Sequence, residues 1–539
     1  MLKKNHLLIL IAFAFFITTE GCQNMSNNQQ TAANTTQAEV IYHIFLRSFY
    51  DSNGDGIGDI NGIREKLGYL QGLGVTTILV TPIVQSVYYH NYFADNFRKI
   101  DPSYGTIEDW INLVKAAHKR GMKIYLDEEF QYVTNRQKWF KDSYQNPSSP
   151  YSKYVLYKDS ANTEPVPIIY NISTLVGYND SSRQVATVNL NDPQVQNFFY
   201  KLLKYWMDPN GDGKFDDGVD GFRLDHMMNN LDYKNILTDL FTKFWCPLIT
   251  KLKAVNPKII FIAEQADWAD YGKDYFDSAC VDRVFAFNLR NTIVSFNKEQ
   301  IASAADSTFA NTPPGKLQIV FIENHDMERF SSAVDRNPGK MRVGAALNLL
   351  IGGVPSVYYG QELGMFGKGG DHRFGSTDGN DIPQREAFEW YKADTGKGMA
   401  IWYKNTGPWW DSTDLKPNDG VSLQEEEFEP NSLWNWYRSL IHLHTSHAVF
   451  YNGKYAGITN DNNQVFSFIR YTDDSSAVVA VNLSDSSQQV NINLDSPLLK
   501  WNDKNTLVNL FGNINPAING GRIYLQLPPY SVQVWEKEN

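Results

Sequence analysis

Cysteine is scarce in this chain. Three residues in 539, Cys22, Cys246 and Cys280, cannot define a disulfide framework, and spacing alone does not say whether Cys246 and Cys280 pair. Positive charge is also short. Lys and Arg total 49 against 60 Asp and Glu, a net charge of -11, which argues against nucleic acid as a partner. The apolar run over residues 7–17 is too short to span a bilayer. No internal domain repeat is visible beyond two short acidic loops.

Aromatic residues are abundant. Thirteen Trp and thirty Tyr offer flat apolar faces with polar edges, which suits sugar handling, although large cores also hold many such rings. The length allows two or three domains around a large core. Residues 1–22 are a targeting segment: Lys3 and Lys4 precede the apolar run, and Thr19-Glu20-Gly21-Cys22 resembles a bacterial lipoprotein signal with Cys22 lipidated after cleavage. Residues 23–37 are polar and uncharged, as a flexible tether would be. The expected location is the bacterial cell envelope, anchored to a membrane by lipid.

From residue 38 the pattern alternates. Buried strands are predicted at 40–46, 75–81, 122–127, 219–225, 258–264, 281–285, 317–322 and 354–359, with helix-period segments between them, including 231–253. Eight strands alternating with helices predict a (β/α)8 barrel. Residues 128–191 break the pattern and are expected to form an inserted subdomain after strand three. The barrel then occupies 38–127 and 192–450, and the short alternating runs over 451–539 predict an antiparallel β-sandwich.

Two loops carry oxygen side chains at alternate positions. In the first, Asp51, Asn53, Asp55 and Asp59, with the carbonyl of Ile57, form a candidate calcium site. The second, with Asp208, Asn210, Asp212 and Asp216, repeats the same order and leads directly into residues 219–230, VDGFRLDHMMNN. Solvated turns are the alternative for both loops.

Within VDGFRLD, Arg223 and Asp225 lie two apart near a strand end, so both side chains point to one side. A structural salt bridge is one reading. Glu264 and Asp326, however, follow strands five and seven, so three acids meet at the carboxyl rim of the predicted barrel. One ionised carboxylate and one held protonated divide the work of a retaining glycosidase. A barrel aldolase or metal-dependent hydrolase would need a strand-end Lys or a His cluster, and the sequence has neither.

GFRLD at 221–225, Glu264 after Ile-Ala, and ENHD at 323–326 resemble the α-amylase superfamily, glycoside hydrolase family 13. RSFYDSNGDGIGD from Arg47 and GGVPSVYYGQELG from Gly352 extend the resemblance over residues 40–539. It implies Asp225 as nucleophile, Glu264 as acid and base, and Asp326 as the clamp on sugar hydroxyls. It further implies Arg223 as the partner that keeps Asp225 ionised, His325 as a sugar contact and Tyr92 as a stacking ring. The expected activity is hydrolysis of α-1,4-glucosidic bonds in starch-type glucans or maltooligosaccharides. The alternatives are an α-glucosidase or transglycosylase, or a non-catalytic glucan-binding lipoprotein. A lipid-anchored member also fits a starch-uptake complex.

The sequence departs from the family at several positions. Gln131 and Tyr132 stand where Asn-His is usual, Met228 and Asn229 where Lys-His binds the leaving sugar, and Phe93 where an Asp is common. Phe93 points to endo action or an altered subsite.

Overall fold

The computed structural model describes residues 38–370, 372–410 and 413–538. The lipoprotein signal, Cys22 and the tether lie outside them.

Eight parallel strands close into a barrel in which each strand pairs with its sequence neighbour. They are β1 (Ile41–Ile44), β2 (Thr77–Val80), β3 (Lys123–Glu128), β4 (Gly221–Met227), β5 (Ile260–Gln265), β6 (Arg283–Phe285), β7 (Leu317–Val320) and β8 (Val354–Tyr358), and β1 closes on β8. Ile41, Leu79, Tyr125, Ile262, Phe285 and Ile319 fill the barrel interior, so it is a packed core and not a pore. Glu39, just before β1, sits among the strand starts. It takes two bonds from Arg283, at 2.9 and 2.7 Å, and one from the Tyr125 hydroxyl at 2.7 Å.

The helices obey their end signals. α1 (Ile60–Leu73) starts at Asp59, whose side chain accepts from the Gly62 amide, and ends at Gly74 with φ 97°, a left-handed conformation that favours glycine. α2 (Ile107–His118) opens with a capping box between Thr106 and Asp109. α3 (Pro193–Met207) has Asp192 as cap and proline in its first turn. The helix predicted over 231–253 is shorter. Residues 231–233 form one 3-10 turn, and continuous helix begins with a π turn at Phe241–Trp245 that leads into α4 (Cys246–Val255). Asp232, Tyr233, Asn235 and Asp239 all have φ near +57°, conformations that interrupt a helix.

Between β3 and α3 the chain forms a three-stranded antiparallel sheet from Tyr132–Thr134, Thr174–Val176 and Ser182–Thr187. Beyond α5 (Leu433–Ser446), a five-stranded and a three-stranded antiparallel sheet enclose a separate core that includes Val465, Val478, Ile492, Ile523 and Leu527. Cys246 and Cys280 are joined by a disulfide, with Cα atoms 4.9 Å apart. Among the described residues no helix is long and apolar enough to cross a membrane.

Candidate active site

Glycine sets the approach to β4. A Cβ on Gly221 would lie 2.8 Å from the Ile260 carbonyl oxygen and from the Tyr125 ring. Its absence lets β3, β4 and β5 close tightly. In that register Asp127 is level with Arg223, and Arg223 with Ile262. Further along, β4 carries two residues, Asp225 and His226, opposite the single Glu264 of β5. This is a β-bulge, and such bulges re-aim side chains at sheet rims. His226 takes φ 42° in it, and its amide donates to Glu264 Oε2 at 2.8 Å. The Gln131 side-chain amide donates to the carbonyls of Asp225 and His226, at 2.7 and 2.9 Å, and fixes the bulge from below.

Arg223 is the hub. Its Nη1 bonds Asp225 Oδ1 at 2.5 Å and Asp127 Oδ1 at 2.9 Å, and its Nη2 bonds Glu264 Oε2 at 2.9 Å. The guanidinium is only 2% exposed, so these carboxylates compensate its burial. The salt-bridge reading and the functional reading of residues 219–230 therefore describe the same atoms.

The third acid comes from the turn after β7. His325 Nε2 lies 3.1 Å from Asp326 Oδ2 and 2.9 Å from the Tyr92 hydroxyl, which donates to Asp127 Oδ2 at 2.7 Å. The Tyr92 and His325 rings stack with centroids 5.6 Å apart. Arg385 reaches Asp326 Oδ1 at 3.2 Å from the long segment after β8. Tyr92, Asp225, Glu264 and Asp326 line one cavity of about 270 Å³, while Arg223 and His325 support its floor.

Burial acts on two of the acids. Burial pushes Glu264 up to about 7, reinforced by the charges of Asp225 and Asp326 and opposed by Arg223. Burial also raises Asp225, and Arg223 works against it. His325 is driven well below the usual imidazole range by burial and by the charges of Arg223 and Arg385, so it is neutral. A carboxyl that keeps its proton to about 7 can serve as a general acid, and a carboxylate paired with a guanidinium can serve as a nucleophile.

Several site residues were not foreseen. Glu129 lines the same cavity, accepts amide bonds from Phe93 and Tyr132, and is pushed by burial up to about 8. The run Asp127-Glu128-Glu129 was its only signal in the sequence. Arg385 and Asp381 lie in a 3-10 helix, Asp378–Arg385, beyond β8, where no element was expected. The departures from the family pattern are structural in part. Met228 is buried, and the Asn229 side chain accepts from the Phe241 amide. Phe93 stacks on Tyr132 at the cavity wall.

Among the described residues, no three His, Cys, Asp or Glu side chains already form a metal cluster. In the first acidic loop Asp51 accepts from the amides of Asn53, Gly54 and Gly56, and Asn53 and Asp55 accept from amides two residues on. Asp59 is engaged by Ser52 and by its capping bond to Gly62. In the second loop Asp208 and Asn210 accept backbone amides, Asp212 pairs with Lys214 at 3.0 Å, and Asp216 is exposed. The neighbouring Asp217 is the buried acid, and neither of its carboxylate oxygens has a hydrogen-bond partner. An orphaned buried carboxylate beside oxygen donors fits a hard cation.

With this geometry in view, the likenesses to known proteins take on meaning. A model of the alpha-amylase catalytic domain matches residues 43–453, and a model of the maltogenic amylase C-terminal domain matches residues 456–534. Alpha-amylase 3 of Dictyoglomus thermophilum is 28% identical over 464 residues, covering 84% of this chain and 86% of that protein. The oligo-1,6-glucosidase of Parageobacillus thermoglucosidasius is 26% identical over 536 residues, covering 83% and 90%. The solved alpha-amylase from H. orenii superposes with a TM-score of 0.75 at 29% identity, covering 93% of this chain and all of that one. The catalytic-domain match runs from within β1 through the rest of the barrel and its rim of acids, and the chain belongs to the α-amylase family, as an enzyme of the glycoside hydrolase type.

Proposed function

We propose that this enzyme hydrolyses α-1,4-glucosidic bonds in starch-type glucans or maltooligosaccharides, with retention of configuration. One observation carries the reading. Asp225 and Glu264 bond opposite nitrogens of one buried guanidinium and face one cavity with Asp326, where burial pushes Glu264 up to about 7.

Glu264 protonates the glycosidic oxygen as Asp225 attacks the anomeric carbon, and the leaving sugar departs from a covalent glycosyl-enzyme. Glu264, now a carboxylate, then accepts a proton from water, and that water displaces Asp225. Two inversions give net retention. Asp326, braced by His325 and Arg385, holds sugar hydroxyls through the distorted transition state, and Tyr92 stacks on the ring. Wild type should release reducing sugar from soluble starch. A wild type inert on every α-glucan but able to bind one would favour the glucan-binding alternative.

A second reading is α-glucosidase or transglycosylase action with the same acids. The likeness to an oligo-1,6-glucosidase favours it, and a product profile across amylose, pullulan, isomaltooligosaccharides, sucrose and trehalose separates the two.

Calcium is proposed at the second loop, held by Asp208, Asn210, Asp212 and Asp217, where it would brace the entry to β4. In the first loop Asp51, Asn53, Asp55, Asp59 and the Ile57 carbonyl are proposed as donors, and each of the four side chains also accepts a hydrogen bond from a near neighbour in the chain. A lipid anchor at Cys22 and an envelope location are proposed as well. The Cys246–Cys280 disulfide supports the envelope location alone, since such bonds persist in oxidising compartments.

A further inference from the structure

One acid in the cavity has no part in the bond cleavage described above. Glu129 follows the last residue of β3, and alternation along the chain puts it on the same side as Asp127. Asp127 is committed to Arg223 and to the Tyr92 hydroxyl. Glu129 instead lines the cavity, together with Asp225, Glu264 and Asp326. It is only 6% exposed, so it faces the cavity and not open solvent.

A buried carboxyl is costly unless its polar atoms find partners. The backbone supplies two: Oε1 accepts the Tyr132 amide at 2.7 Å, and Oε2 accepts the Phe93 amide at 3.1 Å. No side-chain hydroxyl, amide or cation bonds Glu129 among the described residues. A mere brace for two amides would do best ionised. Here burial pushes the carboxyl up to about 8, and the charge of Asp225 pushes the same way. At pH 7 it therefore holds a proton, and a protonated carboxyl is a donor in need of an acceptor. The side chains that follow it are engaged elsewhere. Gln131 Oε1 accepts the Phe130 amide, and its Nε2 is spent on the carbonyls of Asp225 and His226. Tyr132 turns its hydroxyl to the Asp232 carboxylate and stacks its ring on Phe93.

We propose that Glu129 is a specificity-determining residue, whose carboxyl hydrogen-bonds a hydroxyl of the sugar ring that Asp225 attacks. This rests on the α-glucan reading above and deepens it. Asp225 must reach the anomeric carbon of that ring. Glu129 shares its cavity and lies near enough to feel its charge, so the hydroxyls of the same ring are the acceptors within reach. A group built to bond a substrate hydroxyl rejects analogues that lack it, because its own polar atom is then left unpaired.

The test removes the hydroxyls of that ring one at a time. Release of nitrophenol is followed from 4-nitrophenyl α-maltoside and from its 2-, 3- and 6-deoxy forms, each altered in the ring that carries the aryl group. The quantity read is the ratio of kcat/KM, parent over deoxy form. In Glu129→Leu one of the three ratios should fall about tenfold from its wild-type value, and the other two should hold. Ratios cancel both the intrinsic effect of each deoxygenation and any general loss of rate from loosened loops. Three ratios unchanged between wild type and variant overturn the proposal, even if every rate drops. Glu129→Ala is the second variant should Glu129→Leu not fold. A wild type indifferent to the loss of all three hydroxyls also overturns the proposal, and that result needs no variant. A wild type inert on the parent maltoside and on every α-glucan instead overturns the α-glucan reading, and the role of Glu129 with it.

Discussion

Glu264 shows how one side chain acquires its role from its surroundings. In water a glutamic acid ionises well below neutrality. Here burial and two nearby acids outweigh the single guanidinium of Arg223 and hold it at about 7. The general acid must start protonated, so kcat/KM should fall as pH rises through about 7, as Glu264 loses its proton in the free enzyme. A pH profile that stayed flat to pH 9 would contradict this assignment. Glu264→Gln keeps the shape but cannot deliver a proton, and kcat on starch should fall roughly 10²–10⁴-fold. Adding azide, which needs no general base, should restore the second step for substrates with good leaving groups. The neighbouring Glu129, pushed by burial up to about 8, is protonated at pH 7 and adds no charge beside Asp225 there.

At the scale of elements, β4 and its flanks decide the site. Gly218 precedes it, and a Cβ there would lie 2.0 Å from the Met207 carbonyl oxygen. Gly218→Ala should therefore lower stability by about 1–3 kcal/mol or more, seen as a lower thermal midpoint. The disulfide links the start of α4 to the approach to β6 across 34 residues, and chain entropy gives it about 3–4 kcal/mol. Reductant should lower the midpoint of wild type and leave a Cys246→Ser/Cys280→Ser variant unchanged. The barrel strands were legible because each is a β-branched, apolar run between helix-period segments, and the strand-end acids followed from them. The bulge at Asp225 and His226 was not, because it arises from the register between β4 and β5 and not from either strand alone. Likewise Asp216 and Asp217 are adjacent and identical in type. Only the fold shows that the first faces solvent and the second is buried without a donor.

For the molecule as a whole, an ion bound only by the folded state would add about 2.7 kcal/mol at a hundredfold excess over its Kd. Calcium should thus raise the thermal midpoint and a chelator should lower it. Asp217→Asn should reduce that response by the share of the second loop, and an unchanged response in that variant would contradict the assignment there. The eight-stranded barrel, the inserted sheet after β3 and the C-terminal pair of sheets converge on one function only if the rim chemistry proceeds by double displacement. That is tested most directly by following the newly formed reducing end of the glycone product, freed from Asp225 by water, by NMR before mutarotation. Two inversions at Asp225 predict the α-anomer, and initial release of the β-anomer would contradict the mechanism at its centre.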